Sequence, residues 1–434
     1  MPAICLCYEV HEAYQLRRYT IFDMGQNSFY ENDDHNCDAM LRAARQCYLP
    51  ANEMMMRLIR RHKGNFRLTF SFSGTALDQF EQYAPEVLDS FRSLVETGCV
   101  EVACETAAHS LAFLYSREEF DRQVKDHALR LKALFGKKPK TFVNTACIYN
   151  NDLAAAVRAL GFKAILAEGA DHVLGWRSPN WLYRPCGTPE LALLLRNARL
   201  SGDIGLRFSD RNWEAWPLTA EVFAFWCHEH AASADLINIF DDYHIFGLRH
   251  SQDSGIFHFM DALPGMLLAD RRFRFTTPSE AAKTFTPVGE VDVPQFMSWA
   301  DEGGDLTAWL GNDMQKDAIH TLYGLAPRVH ALRDEGLLHD YRRLQTADHF
   351  HHISTKWFSR TPTDRPNPFG SPYDAYIAYM NVLADFELRL DAMLPSPPGT
   401  GRKTPGSAGR EKNPAKTASG TGTAKKASAR KKNP

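Results

Sequence analysis

The segment LINIFDDYHIFGLRH (residues 236–250) places a short apolar run directly before a cluster of acidic and histidine side chains. The apolar part, Leu236–Phe240, is too short for a typical helix and is typical of a buried strand. Asp241, Asp242, Tyr243 and His244 follow it at once. Because parallel α/β barrels carry their catalytic groups where strands end, this segment predicts a strand that delivers polar side chains to a pocket.

The same arrangement recurs along the chain. His11 and Glu12 follow a first apolar run, and Glu105 and His109 follow a third. The predicted strands are Ala3–Tyr8, Arg67–Phe72, Val100–Ala103, Thr141–Val143, Ala164–Leu166, Leu191–Leu195, Leu236–Phe240 and Phe273–Phe275.

Amphipathic helical patterns lie between many of these runs. They cover Ala39–Arg61, Pro85–Glu96, Glu118–Leu134, Asp152–Leu160 and Ile256–Leu268. Short buried runs that alternate with helices indicate a parallel sheet. Seven or eight such units over roughly 280 residues fit a closed barrel better than an open sheet.

The chain changes character after Pro287. Residues 312–345 and 373–394 have helical periodicity, Pro327 should kink or end the first helix, and Ser371 with Pro372 makes a start signal for the last. We therefore predict a barrel over 1–290, a helical region over 291–394 packed on it, and a disordered basic tail over 395–434.

Charge is unevenly distributed. The tail holds ten Lys or Arg and one acid, Glu411, whereas the other 394 residues hold 40 basic and 51 acidic residues. An acidic body argues against nucleic-acid binding, and the tail is either solubilising or an arm for an anionic partner. No apolar run reaches the roughly 18 residues of a membrane span, and the first residues lack secretory-signal features. Nine cysteines without a CxxC pair indicate a cytoplasmic protein with reduced thiols.

Seven segments together resemble the glycoside hydrolases of family 57, specifically their α-amylase-like branch. They are VHEAYQLRRY (10–19), CYLPAN (47–52), GCVEVACETAAHSLA (98–112), FVNTACIYNN (142–151), GWRSPN (175–180), FDDYHIFGLRH (240–250) and SWADEGGDLTAWLGNDMQ (298–315). The resemblance implies an incomplete (β/α)7-type barrel followed by a C-terminal helical bundle. It also implies retaining cleavage or transfer of α-glucan linkages, with an α-glucan or maltooligosaccharide as partner and no cofactor.

Retaining chemistry needs two carboxyl groups roughly 5 Å apart, one as nucleophile and one as acid/base. The family's F-x-D-Y-E-T-F-G segment matches FDDYHIFG here, which assigns the acid/base to Asp242. The family's nucleophile is the Glu of R-N-T-E-L-I-Y. In this chain that position is held by Ala146, whose methyl group cannot attack a sugar.

Other positions of the pattern are altered too. Two aromatic rings are replaced by Ala107 and Ala108, a Gln by Glu12 and a Glu by His244. Glu105 or Glu12 are possible substitute nucleophiles. Cys147 is expected to face away, because neighbouring side chains on a strand alternate.

The residues expected to bind substrate are His11, Glu105, His109, His244, Trp176, Trp181 and Asp301. His11, His109, Asp242 and His244 are also metal-ligand types, but the chain has no deacetylase motif and we predict no metal. Two functions stay open. The favoured one is a protein that binds a glucan with weak or absent hydrolysis, and the other is an active hydrolase or transferase with a substitute carboxylate.

Overall fold

Parallel strands dominate the structure, a computed structural model that describes residues 2–300, 303–356 and 367–393. All eight predicted strands are present, within one or two residues at most of their ends. The strands are β1 Ala3–Val10, β2 Leu68–Phe72, β3 Val100–Ala103, β4 Thr141–Val143, β5 Ala164–Glu168, β6 Leu182–Pro185, β7 Ala192–Arg196, β8 Leu236–Asp242, β9 Arg274–Thr276 and β10 Glu290–Val291.

Seven of these strands follow one another around a ring. One sheet has the order β3-β2-β1-β8 and the other contains β7-β5-β4, with all these pairs parallel. Backbone bonds of 2.9 Å between Cys104 and β4 join β3 to β4, and the Asn197 amide donates to the Asn238 carbonyl at 2.8 Å, which joins β7 to β8. The predicted (β/α)7-type barrel is confirmed.

Three strands stand outside this ring. Strand β9 pairs with the first residues of β1, β6 is antiparallel to β7, and β10 adds to β6. β6 and β10 were not predicted, because each is short and flanked by polar or Gly/Pro-rich sequence rather than by a helix.

The register of β1 sorts apolar and polar side chains inside the barrel. Cys7 lies opposite Phe240, and Glu9 lies opposite Asp242 two residues further along. Since alternate residues share a face, the barrel interior changes from apolar to acidic towards the carboxyl ends of the strands. The buried apolar filling includes Cys5, Cys7, Ala103, Val143, Leu166, Leu194 and Phe240.

Helices cover the outside of the ring and form the C-terminal region. In the barrel they are α1 Asp33–Ala43, α2 Leu49–Arg61, α3 Gly74–Tyr83, α4 Pro85–Glu96, α5 Ala112–Tyr115, α6 Arg117–Phe135, α7 Asn151–Ala159, α8 Asp171–Leu174, α9 Ala198–Gly205, α10 Ala220–Glu229, α11 Ile256–Ala269 and α12 Pro278–Thr284. They continue as α13 Thr307–Leu310, α14 Asp313–Gly324, α15 Ala326–Leu332, α16 Glu335–Leu344, α17 Ala347–His352 and α18 Pro372–Met393.

The helix boundaries near Pro327 and Ser371 occur at the predicted residues. Pro327 lies in the first turn of α15, directly after α14 ends. The Ser371 hydroxyl accepts a hydrogen bond from the Asp374 amide (3.1 Å) at the start of α18. The predicted helix Ala39–Arg61 is divided into α1 and α2 by a π-helical turn at Ala44–Tyr48. The boundary at 290/291 stays a prediction, and the basic tail lies outside the described residues.

All nine cysteines are unpaired, and seven of them are buried. This agrees with the predicted reduced thiols, while the cytoplasmic location stays a prediction. Across the parts of the chain that the structure describes, no helix combines the length and apolar character needed to cross a bilayer.

Gly247 closes the loop after β8 and should not tolerate a side chain. Its φ is +91°, and a Cβ atom there would lie 1.9 Å from the Gln46 carbonyl oxygen. We expect Gly247→Ala to lower the free energy of unfolding by about 1–3 kcal/mol from overpacking, in addition to the roughly 1–2 kcal/mol cost of a left-handed alanine. Urea denaturation measures this change in the free energy of unfolding. The matched control is Gly136→Ala, which shares the positive φ (+74°) but has open space around it, so it should show the smaller cost only.

Candidate active site

Two stacked imidazoles stand at the carboxyl ends of β1 and β3. The rings of His11 and His109 are parallel to within 19°, with centroids 3.8 Å apart. His11 Nδ1 contacts the Ser73 hydroxyl (2.9 Å) and its Nε2 contacts Asp348 Oδ2 (2.8 Å). Asp348 belongs to α17, so the C-terminal helical region completes this part of the rim.

Glu105 holds the second imidazole. Its Oε2 lies 2.6 Å from His109 Nδ1, and its Oε1 accepts a hydrogen bond from the Ser71 hydroxyl at 3.3 Å. Burial raises the pKa of Glu105 to about 8 and, together with the neighbouring His109, lowers the pKa of His11. Both groups are therefore mainly uncharged near neutral pH. We name His11, His109, Glu105 and Asp348 the histidine cluster.

Ser73, His11 and Asp348 are the residue types of a nucleophilic triad, but Ser73 serves the fold instead. Its side chain is fully buried, and its hydroxyl caps α3 by accepting from the Ala76 amide at 3.1 Å. A second contact of 3.0 Å joins it to the Thr75 hydroxyl. A hydroxyl with these partners and no exposure does not reach a substrate.

Asp242 and His244 lie together at the end of β8. The Asp242 carboxylate accepts from the His244 amide (2.9 Å), and its side chain keeps 12% exposure. His244 Nε2 lies 2.8 Å from Glu12 Oε1, and the Tyr48 hydroxyl donates to the same oxygen at 2.9 Å. Glu12 is thus bound to two partners, and it positions His244 beside the predicted acid.

Ala146 lies in a tight turn just beyond β4. The strand ends at Val143, and residues 145–147 form a 3₁₀ turn in which Ala146 and Cys147 have φ of +47° and +53°. Ala146 is 7% exposed, and its carbonyl accepts from the Trp299 amide at 3.1 Å. This bond anchors the backbone at the position that the resemblance assigns to the nucleophile.

The expectation that Cys147 faces away is wrong. Strand alternation does not apply in the turn, and the side chain is fully buried with the apolar filling of the barrel. Burial raises the pKa of this thiol well above its ordinary value, with Glu168 adding to the effect. Cys147 consequently stays protonated and is no substitute nucleophile.

A buried arginine joins two further acids at the rim. One of them, Asp241, was predicted among the polar residues after a strand, but Arg196 and Glu168 were missed. Arg196 ends β7 and pairs with Glu168 at 3.0 Å and Asp241 at 3.2 Å. Its guanidinium also lies 5.4 Å from the centre of the Trp299 ring. Burial raises the pKa of Asp241 to about 7 despite the arginine. The available signal was that Glu168 lies two residues after a predicted strand and Arg196 directly follows another.

Glu9 is another missed carboxylate. It lies inside an otherwise apolar strand, is nearly buried and pairs in register with Asp242 on β8 and Ser71 on β2. Ligand atoms of Glu9, Glu105 and His109 lie within 4.8 Å of one another. The alternation of side chains along a strand could have identified Glu9, since Cys5, Cys7 and Glu9 share one face.

The remaining predicted site residues are Trp176, Trp181 and Asp301. Trp176 is 94% exposed, whereas Trp181 is partly buried against the main core. Asp301 lies outside the described residues. The catalytic and binding roles given to all these residues stay predictions.

The fold and its rim define a parallel α/β-barrel protein with polar groups at the strand ends, where barrel enzymes place their active sites. The sequence profile of "Glycosyl hydrolase family 57" matches residues 5–294, and the chain belongs to this family. The chain is 36% identical over 405 residues to a Methanocaldococcus jannaschii protein named "Putative alpha-amylase". The aligned region covers 89% of this chain and 84% of that protein.

Solved structures share the fold at low sequence identity. A GH57 branching enzyme from Thermococcus kodakaraensis superimposes with a TM-score of 0.66 at 15% identity, over 90% of both chains. A 4-alpha-glucanotransferase from Thermococcus litoralis gives 0.65 at 14% identity, over 89% of this chain and 59% of that chain. An alpha-amylase from Thermotoga maritima gives 0.61 at 12% identity, over 91% and 94%.

Asp241 should make the protein less stable as the pH rises. In the folded state it keeps its proton up to about pH 7, whereas in the unfolded chain it loses it near pH 3.9. The folded state thus binds more protons between about pH 4 and 7, so this contribution to the free energy of unfolding is largest at low pH and is lost over that window. We expect Asp241→Asn to make the free energy of unfolding depend less on pH, as measured by urea titrations at pH 4–8. Asp38→Asn, on the exposed side of α1, should leave the wild-type slope intact.

Proposed function

We propose that this protein binds an α-glucan at the carboxyl end of the barrel and hydrolyses it weakly or not at all. Family membership and relatives named as an amylase, a branching enzyme and a glucanotransferase support the substrate class. The observation that carries the proposal is Ala146 at the end of β4, where the family pattern has its nucleophile. Asp242, the predicted acid/base, remains at the end of β8.

The absent carboxylate removes the covalent half of the retaining mechanism. An acid at Asp242 can protonate a leaving oxygen, but without a nucleophile no glycosyl-enzyme forms. Losing an activated nucleophile costs several powers of ten in rate. Binding does not depend on that group, so affinity for the sugar can persist after turnover is lost.

The two acids that we considered as substitutes have other partners. Glu105 is 1% exposed and bonded to His109 and Ser71. Glu12 is bonded to Tyr48 and His244. Moving the Glu105 carboxylate towards a sugar would remove this partner from the buried His109 imidazole and Ser71 hydroxyl, at a cost of about 1–3 kcal/mol per group. Moving Glu12 would break its two bonds, although Tyr48 and His244 also contact each other at 2.8 Å. This favours the binding function.

An active hydrolase remains the second candidate, because of Glu9. This carboxylate lies opposite the predicted acid/base Asp242 on the adjacent parallel strand. Neighbouring strands are about 4.8 Å apart, close to the roughly 5–5.5 Å between the carboxyl groups of retaining enzymes. In this alternative Glu9→Gln abolishes cleavage of maltooligosaccharides by the wild-type protein. In the favoured function the wild type shows little cleavage to abolish.

Restoring a carboxylate at the turn should create or increase hydrolysis. We expect Ala146→Glu to cleave maltoheptaose measurably, and azide or formate to raise the rate of the wild type by occupying the space of the absent side chain. Product release is followed by chromatography. The missing rings at Ala107 and Ala108 should keep these rates low, because sugars stack on aromatic faces.

The control is the double variant Ala146→Glu, Asp242→Asn, which keeps the new carboxylate and removes the predicted acid. It should be inactive, because leaving-group protonation is lost. Rapid turnover by the wild type without added anion would contradict the proposal. An Ala146→Glu protein that binds maltoheptaose but stays inert would contradict the role of Asp242.

Trp176 offers a test of binding alone. Its indole is almost fully exposed in the segment GWRSPN, where a sugar ring can stack on it. We expect Trp176→Ala to weaken maltoheptaose binding by about 0.5–1.5 kcal/mol, or roughly two- to twelvefold, in isothermal titration calorimetry. Phe225→Ala removes another exposed aromatic ring, on α10, and should leave the affinity unchanged. Equal effects of both changes would contradict a specific role for Trp176.

A further inference from the structure

We propose that a cavity at the amino-terminal end of the barrel binds a small organic phosphate, a molecule that joins a phosphate ester to an uncharged organic body. The cavity has a volume of about 530 Å³. This volume lies within the range of about 300–1,000 Å³ that is typical of small-molecule sites. We call it the basic cavity, after the four cationic side chains that line it: Lys140, Lys163, Arg184 and Lys283.

The four cations come from separate elements of the fold. Lys140 and Lys163 stand one residue before β4 and β5, whereas Arg184 lies in β6 and Lys283 in α12. Among the described residues that line the cavity, only Glu190 is acidic. The lining therefore carries an excess of three positive charges, which favours an anionic ligand.

These cations are not neutralised by the protein. Within the ranges that the structure describes, none of the four side chains forms an ion pair. Exposed arginines elsewhere are paired, as Arg61 is with Asp261 and Arg272 with Asp270. The first 394 residues hold 40 basic and 51 acidic residues, so the basic cavity is a local positive region on an acidic protein.

The backbone holds two of the lysines next to each other. The Lys163 amide donates to the Lys140 carbonyl at 2.8 Å, and the Ala192 amide donates to the Lys163 carbonyl at 3.0 Å. Neighbouring strands are about 4.8 Å apart, so the two lysines start from adjacent positions and their like charges repel. A bound phosphate replaces this repulsion with attraction, since it carries a charge of about −1.5 to −2 at neutral pH.

The rest of the lining suits the uncharged part of such a molecule. Leu191, Ala192, Ala282 and Pro287 give the cavity an apolar wall beside the cations. Small-molecule sites combine apolar walls of this kind with a few polar groups that fix the orientation of the ligand. The Ser279 hydroxyl also lines the cavity and can donate a hydrogen bond to a phosphate oxygen.

The basic cavity is separate from the candidate active site. It lies where β4 and β5 begin, whereas Asp242 lies where β8 ends. Barrel enzymes carry their catalytic groups at the carboxyl ends of the strands, so we assign binding and no chemical step to the cavity. The proposal does not depend on whether the barrel binds a glucan.

Calorimetric titration of the full-length protein tests the site with two phosphate esters, ADP and glucose 1-phosphate. In metal-free buffer at low salt we expect at least one of them to bind with a Kd below about 1 mM. Its uncharged counterpart, adenosine or glucose, should bind at least about tenfold more weakly, because it lacks the charge-assisted hydrogen bonds. Added salt should weaken binding of the phosphate by screening. The ester that binds more tightly identifies the organic body as a nucleoside or a sugar.

Variants of the lining locate the bound phosphate. Lys163→Gln and Arg184→Gln should each weaken binding by about tenfold, the lower end for a hydrogen bond to a charged group. Ala282→Leu narrows the apolar wall, so it should weaken binding of the organic phosphate and leave binding of inorganic pyrophosphate unchanged. Lys125→Gln is the matched control, because it removes the same charge from an exposed lysine on α6 outside the lining.

Circular dichroism of each variant separates loss of the site from loss of the fold. A Kd above about 10 mM for both phosphate esters would overturn the proposal. A Lys163→Gln protein that binds as tightly as Lys125→Gln would also overturn it, because the phosphate would then lie elsewhere. Equal weakening of pyrophosphate and organic phosphate by Ala282→Leu would contradict the role of the apolar wall.

Discussion

The long parallel pairing of β1 with β8 is the constraint on which the rest of the rim depends. Seven consecutive residue pairs fix Cys7 opposite Phe240 and Glu9 opposite Asp242. A slip of one residue would turn every side chain of β1 to the other face and place acids against the covering helices. The apolar pairs at the amino-terminal ends of β1 and β8 therefore fix the register. This register places the carboxylates of Glu9 and Asp242 side by side at the carboxyl ends of the two strands.

The polar side chains of the rim hold one another in place through hydrogen bonds and ion pairs. The carboxylates of Glu105 and Glu12 each fix an imidazole, and Arg196 neutralises part of the charge of Glu168 and Asp241. Buried polar groups cost little only when their hydrogen bonds are satisfied, so these networks keep the mouth of the barrel ordered. Such order supports recognition of a ligand whether or not a bond is cleaved.

Local patterns predicted the ring well but not the contacts across it. Apolar runs located all seven strands of the ring, Ser371 marked the start of a helix and Pro327 marked a helix break, because these signals act over a few neighbouring residues. The turn at Ala146 escaped, since alternation assumes that a strand continues. Glu9 directly follows the predicted strand Ala3–Tyr8 but was given no role, and Asp348 and Arg196 meet their partners only through tertiary folding.

The contact between His11 and Asp348 has a consequence for how the protein is made. A ribosome delivers the first strand, with His11, more than three hundred residues before α17 emerges. The strands can associate during that interval, yet the imidazole lacks its acidic partner until α17 has been synthesised. Any nascent or cleaved fragment that stops short of α17 therefore carries an unfinished rim, however well its strands have paired.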